Sequence, residues 1–178
     1  MGPIYLPSDD SLFFAKLLED YLSNLKDKEI SYLDIGTGSS ILAETAKHSG
    51  VKDITTTDIN SKAVALSRKK GFYSIKSDLF SSPILKDKKF DLITFNAPYL
   101  PEDKSEPEDS KLATTGGKRG DEISLKFLKQ AVKHLKKEGK IFLLISSLTP
   151  KNQINKCNPK IVAKKKLFME ELILLQFQ

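Results

Sequence analysis

Apolar positions along the chain recur in two patterns, a helical spacing and short continuous runs, and the two alternate. The opening stretch PSDDSLFFAKLLEDYL (7–22) carries Leu12, Phe13, Leu17, Leu18 and Tyr21 at helical spacing. Ser8 is placed to cap this helix, and Asp9 and Asp10 suit the positive end of its dipole. Short apolar runs then predict five strands: ISYLDIG (30–36), DITTTDIN (53–60), FYSIK (72–76), FDLITFN (90–96) and KIFLLISS (140–147). Between them, helices are expected from about Ser39 to Lys47, over SKAVALSRKK (61–70) and from about Glu122 to Lys137, with a turn at SDLF (77–80). The final stretch PKIVAKKKLFMEELILLQF (159–177) predicts two more strands joined by a charged connection.

Strands that alternate with helices imply right-handed crossovers and a mostly parallel sheet covered on both faces. The last two strands have too little chain between them for a crossover helix, so they are expected to be antiparallel. The predicted fold is therefore α/β, a seven-stranded mostly parallel sheet with an antiparallel edge hairpin. At 178 residues the chain suits one domain, 1–178, with 1–28 as an N-terminal helical segment. The one sizeable linker is 100–120, LPEDKSEPEDSKLATTGGKRG, too rich in proline, glycine and charge for regular structure. Loops of that length in a compact domain are usually functional or disordered.

Composition narrows the class. The longest apolar run, Ile141 to Ile145, is far shorter than the roughly 20 residues that cross a bilayer as a helix. The amino terminus lacks a basic segment followed by an apolar one, so no signal peptide is evident and a cytoplasmic location is expected. Cys157 is the only cysteine, which excludes an internal disulfide, and His48 and His134 do not form a cluster with metal-ligand spacing. The net charge of +6 comes mainly from lysine, with Arg68 and Arg119 the only arginines. Such a surface steers the chain toward RNA or a ribonucleoprotein, or is merely solvated; base-reading sites usually combine arginine with aromatic groups.

Candidate chemistry gathers at the ends of successive strands. YLDIGTGSS (32–40) puts Gly36 and Gly38 where the first strand turns toward a helix, a place where backbone can approach a ligand closely. A dinucleotide fingerprint needs a third glycine at the position of Ile41, so an NAD site is disfavoured. Asp58 ends the second strand, placed to accept hydrogen bonds from two ribose hydroxyls, and Asp78, after the third, is placed to accept one from an adenine amino group. Each acid alone serves equally well as a cap or turn residue; the set at four strand ends, completed by Asn96, points to one ligand-binding rim.

The fourth strand ends in NAPY (96–99). An amide or aromatic amine nitrogen is a poor nucleophile, because its lone pair is delocalised. The Asn96 side-chain oxygen and the Ala97 backbone carbonyl offer two acceptors that can hold an NH₂ group and aim its nitrogen at an electrophilic carbon. Pro98 stiffens the backbone, and Tyr99 is expected to pack against the planar acceptor.

With these residues the sequence resembles the class I S-adenosylmethionine-dependent methyltransferases, whose fold is Rossmann-like. More narrowly, it resembles the HemK-related glutamine methyltransferases that modify translation release factors, in their short archaeal and eukaryotic branch. YLPSDDS, LDIGTGSS, TTDIN, SDLF, FNAPYLP, GGKRGDE and KKLFMEEL carry the resemblance, from residue 5 to 172. It implies S-adenosyl-L-methionine as cofactor, held by Ser11, Asp34, Gly36, Thr37, Gly38, Asp58, Ile59, Asp78, Leu79 and Asn96. It implies catalysis by Asn96, Ala97, Pro98 and Tyr99, and N5-methylation of the glutamine in the Gly-Gly-Gln loop of a release factor. Ser8, Asp10 and Ser11 match a segment that closes over the cofactor. Gly116 and Gly117 match the loop after the catalytic strand, whose acidic part, 102–109, is either a mobile lid or simply disordered. Three departures stand out: Ala97 replaces the first proline of the usual Asn-Pro-Pro-Tyr, Ser40 replaces a common third glycine, and 151–160 is short for a last crossover helix.

Other acceptors suit the same slot: an exocyclic amine of adenine or guanine, flipped from its stack, or, less well, a flexible lysine. A non-catalytic cofactor-binding module is the remaining class. The resemblance also implies a small zinc-binding activator subunit, pairing along an edge strand for which FYSIK offers Phe72, Tyr73 and Ile75.

Overall fold

A computed structural model describes residue 4 and residues 7–102 and 114–178. The chain runs α1 (Asp9–Ser23), β1 (Ser31–Ile35), α2 (Ile41–His48), β2 (Asp53–Asp58), α3 (Ser61–Lys69), β3 (Tyr73–Lys76), β4 (Phe90–Asn96), α4 (Glu122–Ala131), β5 (Leu135–Ser146), α5 (Asn152–Asn155), β6 (Lys160–Lys166) and β7 (Glu171–Phe177). The strands make one sheet in the order β3-β2-β1-β4-β5-β7-β6. The first five are parallel; β7 runs antiparallel between β5 and β6, as the expected hairpin requires. Ile35 is level with Thr57 on one side and Phe95 on the other, so β1, β2 and β4 end at one rim. No helix of the described residues is long and apolar enough to cross a membrane.

The period-two pattern sorts the two cores. Leu33, Ile35, Ile93 and Phe95 face α4, packing with Phe127, Leu128 and Ala131. Tyr32, Leu92, Phe142 and Leu144 face the other way, against Phe14, Leu18 and Leu22 of α1 and Leu42, Ala43 and Ala46 of α2. Asn96, in step with Leu92 and Thr94, thus belongs to the face that α1 covers. In α1 the buried stripe is Phe14, Leu18 and Leu22; Leu12, expected inside, is exposed.

Two expectations need correction. The helix expected to reach Lys137 stops at Ala131, and Val132–His134 form a 3₁₀ turn. There the His134 ring bonds through Nδ1 to the Lys88 carbonyl and stacks on Phe80 with centroids 4.5 Å apart, returning the chain to the sheet at Leu135. Phe72 and Ile75 are not offered to a partner: both are buried, and Ile75 belongs to the core around Phe80, while Tyr73 is 54% exposed. β3 is nonetheless an edge strand. The segment before β6, expected to be short for a crossover helix, holds only the single turn α5. The proposed lid, 102–109, lies outside the described residues except at Glu102, as do Tyr5 and Leu6 of the amino-terminal segment.

Phe127 is fully buried between Phe80 and Phe95, at 6.1 and 4.9 Å between ring centroids, directly behind the strand that ends in Asn96. Phe127→Ala is expected to lower unfolding free energy by about 3–5 kcal/mol, measured by urea denaturation. A loss below about 1 kcal/mol would show that this core collapses around the gap.

Candidate active site

At the end of β1 the chain turns through Gly36 and Gly38, at φ +62° and +50°. A Cβ on Gly36 would lie 2.9 Å from the Phe95 ring, so only glycine lets β1 hand over to the loop beside β4. Ser40 also adopts a left-handed conformation, at φ 69°, and is fully buried. Glycine adopts that conformation freely, whereas serine bears roughly 1 kcal/mol of backbone strain there. Lys70 helps hold the turn by donating to the Ser39 carbonyl at 2.8 Å.

Two aspartates organise this loop. The Asp58 carboxylate accepts from the backbone N–H of Gly38 (2.9 Å) and of Asn60 (2.7 Å), and it lines the cleft. A carboxylate has about four acceptor sites, so room remains for a hydroxyl donor. Asp34 is buried on the α1 face of the sheet, where Thr37 donates to one oxygen at 2.7 Å and Thr94 to the other at 3.0 Å. Tyr32 continues the chain by donating to Thr94 at 2.6 Å. Asp34 thus joins the glycine loop to β4, two residues before Asn96.

Asn96 lines the same cleft. Its Nδ2 donates to Asp10 Oδ2 at 3.2 Å, across 86 residues of sequence. A carboxylate accepts and cannot donate, so the amide nitrogen faces Asp10. The amide oxygen is buried with no partner. The other Asp10 oxygen is held at the start of α1 by the Ser8 hydroxyl (2.5 Å), the Ser11 N–H (2.6 Å) and the Ser11 hydroxyl (3.1 Å). Ala97 and Pro98 also line the cleft. Behind them, Gly116 lies so close that a Cβ there would sit 2.6 Å from the Pro98 carbonyl and 2.3 Å from that of Gly120. Tyr99 is outside the lining; its ring packs, half-buried, on the core beneath α1, and its carbonyl accepts from Thr149 at 3.2 Å.

The cleft holds about 380 Å³ and brings together Ser11, Asp34, Gly36, Thr37, Gly38, Asp58, Ile59, Asp78, Leu79, Asn96, Ala97 and Pro98. Of the site residues expected from sequence, only Tyr99 stands apart. Asp78 is paired with Lys126 of α4 at 2.6 Å, which leaves its second oxygen for another donor. Lys126 and Ile123, which also line the cleft, carry no signal in the sequence beyond their helical spacing. Thr94 had one: it is a polar residue at the centre of an apolar strand, fully buried.

Burial pushes the Asp34 carboxyl up from 3.8 to about 7, against the hydroxyls of Thr37 and Thr94, with the nearby Asp58 raising it further. Asp58 is also raised by burial, opposed by the N–H groups of Asn60, Gly38 and Ile59. A carboxyl whose pKa is higher in the folded than in the unfolded chain binds its proton more tightly when folded. Asp34 therefore costs nothing below about pH 4 and exacts its full penalty above about pH 7. Asp34→Asn should gain stability relative to the parent as pH rises from about 4 to 8, by roughly 3–5 kcal/mol. Urea unfolding of both proteins across that range checks this; a difference that stays flat would mean that Asp34 titrates as an ordinary carboxyl.

The model of the family described as methyltransferase small domain matches residues 14–171. A protein of Methanocaldococcus jannaschii, named as a candidate protein N5-glutamine methyltransferase, is 36% identical over 97% of this chain and 90% of its own length. A release factor glutamine methyltransferase of Streptococcus pneumoniae is 32% identical over 73% of this chain, which spans only half of that longer protein. Among solved structures, a T. thermophilus 16S rRNA N2 methyltransferase in complex with AdoMet and guanosine superposes with a TM-score of 0.66. That match covers 97% of this chain and 44% of the other at 15% identity, a likeness of fold. The carboxylates at the ends of β1 and β2, the glycine turn and the amide at the end of β4 fit what these matches establish: the chain belongs to the methyltransferase small domain family.

Proposed function

We propose that this protein is an S-adenosylmethionine-dependent methyltransferase that transfers a methyl group to the N5 nitrogen of the glutamine in the Gly-Gly-Gln loop of a translation release factor. The observation that carries this reading is the buried, unpartnered amide oxygen of Asn96, a residue that lines the cleft. An acceptor in that position costs about 1–3 kcal/mol until a donor reaches it, and a planar carboxamide brings two N–H donors. The names of the relatives favour glutamine among such acceptors.

The cleft suits the cofactor. Its volume falls in the range of roughly 300–1,000 Å³ usual for small-molecule sites. Asp58 keeps acceptor capacity for ribose hydroxyls, Asp78 for an adenine amino group, and Ile59 and Leu79 give apolar walls on either side. When bound, the cofactor supplies a methyl group made electrophilic by its sulfonium sulfur. The residues around it do no covalent chemistry. Asn96 accepts one N–H of the acceptor, and the Ala97 carbonyl accepts the other. Pro98 and the Gly116 contact behind it stiffen the turn. The gain comes from orientation and from hydrogen bonds that strengthen as the nitrogen becomes positive; one N–H proton is then lost to solvent, leaving the neutral N-methyl amide.

Incubation with labelled cofactor and a release factor carrying or lacking that glutamine tests the reading. Asn96→Ala should lower kcat by about 100- to 1,000-fold, while calorimetry still detects cofactor binding. Label that transfers equally to the factor lacking the glutamine, or only to RNA, would overturn it.

The exposed edge of β3 is the surface we assign to the small zinc-binding activator subunit. Tyr73 lies on it, with Lys88 Nζ 5.0 Å from its ring centroid. Because Phe72 and Ile75 are core residues, Tyr73→Lys is the informative change. It should cut capture of the subunit in a pull-down by about tenfold; undiminished capture would remove this edge from consideration.

A further inference from the structure

Asp10 sits at the start of α1, buried, and both of its oxygens are engaged from fixed directions. Oδ1 receives three donors, the Ser8 hydroxyl and the N–H and hydroxyl of Ser11. Oδ2 receives the amide of Asn96. An amide is nearly symmetric in shape: a half-turn about its last bond exchanges oxygen for NH₂ at little steric cost. Which end faces the acceptor slot is therefore set by the partner alone. We propose that Asp10 is a positioning residue that sets the polarity of the slot, holding Asn96 so that its oxygen, and never its NH₂, meets the acceptor. The inference rests on the reading that Asn96 faces the acceptor nitrogen. It makes the slot selective for a group with N–H to donate. With Asn96 turned over, two donors would face each other, and an NH₂ acceptor would be repelled.

The geometry yields an unusual expectation for the isosteric variant. In Asp10→Asn the Ser11 N–H at Oδ1, which can only donate, still demands an oxygen there, so the new NH₂ takes the place of Oδ2. It then donates toward Asn96, whose amide has to turn over to accept. The helix start remains satisfied while the slot is inverted. If Asp10 merely caps α1, Asp10→Asn should behave like the parent.

The experiment measures kcat with a peptide carrying Gly-Gly-Gln, in the parent, in Asp10→Asn and in the exchanged pair Asp10→Asn with Asn96→Asp. The single variant should lose about 100-fold. The exchanged pair restores an oxygen toward the slot and a donor–acceptor contact behind it, and should recover at least tenfold of that loss. Asp10→Asn within about threefold of the parent, or an exchanged pair no better than Asp10→Asn, overturns the proposal. The side-chain amide ¹⁵N–¹H signals of Asn96 give a readout that needs no acceptor. They should shift, and exchange faster with water, in Asp10→Asn; unchanged signals overturn the proposal as well. A parent inactive toward every glutamine acceptor would defeat the proposed function alone, because the amide signals still decide the role of Asp10.

Discussion

The site depends on a buried carboxyl in the central strand. Asp34 lies in β1 between β2 and β4, on the face that α1 and α2 cover, and its oxygens are held by hydroxyls from two different segments. One hydroxyl belongs to the glycine loop that follows β1, the other to β4 two residues before Asn96. Parallel register brings the strand ends to one rim, but register alone leaves the loops above the rim free to choose a conformation. Asp34 removes that freedom. It does so in an environment that opposes its own ionisation, so the organising contact is also a source of instability near neutral pH. Functional sites commonly retain such local costs because the surrounding sheet is stable enough to bear them.

Much of this was legible in the sequence. Strand runs followed by Gly36, Asp58 and Asn96 identified the rim, because in a parallel sheet the end of each run is also a position in space. The antiparallel hairpin followed from the short connection between the last two runs. What sequence spacing cannot give is contact between distant segments. The Asp10–Asn96 hydrogen bond spans 86 residues, and the Lys126–Asp78 pair spans 48; nothing local marks either. Burial at an edge was also illegible. FYSIK presents apolar groups on both faces, and only the packing of Ile75 beside Phe80 and of Phe72 on the α2 side shows that one tyrosine is left outside. The helix from Glu122 was read too long because VKHLKK continues its periodicity, whereas the His134 contacts with Lys88 and Phe80 end it.

Serine at position 40 and alanine at position 97 differ in their consequences. Ser40 carries strain at a left-handed φ and a buried hydroxyl without a partner, so the departure weakens the loop that lines the cleft. Ala97 is buried beside Phe95 and takes the place of a proline whose ring would fix φ. The Gly116 backbone, packed against the Pro98 carbonyl, supplies from outside some of the stiffness that a second proline gives from within.

Charge in the cleft runs against charge on the chain. The protein carries +6 overall, yet the cleft is lined by Asp10, Asp34, Asp58 and Asp78, with Lys126 the one lysine or arginine among the described lining residues, already paired with Asp78. Asp34, with its raised pKa, contributes only part of a charge near pH 7. The balance is still negative, in a partly enclosed space where fields are weakly screened. A donor that carries positive charge on sulfur is attracted there. Once its methyl group has left, the sulfur is neutral and that attraction is gone. The same acids that would attract such a donor would therefore hold its product less tightly. This asymmetry would favour turnover, and it depends on the field of the carboxylates together rather than on any one of them touching the sulfur.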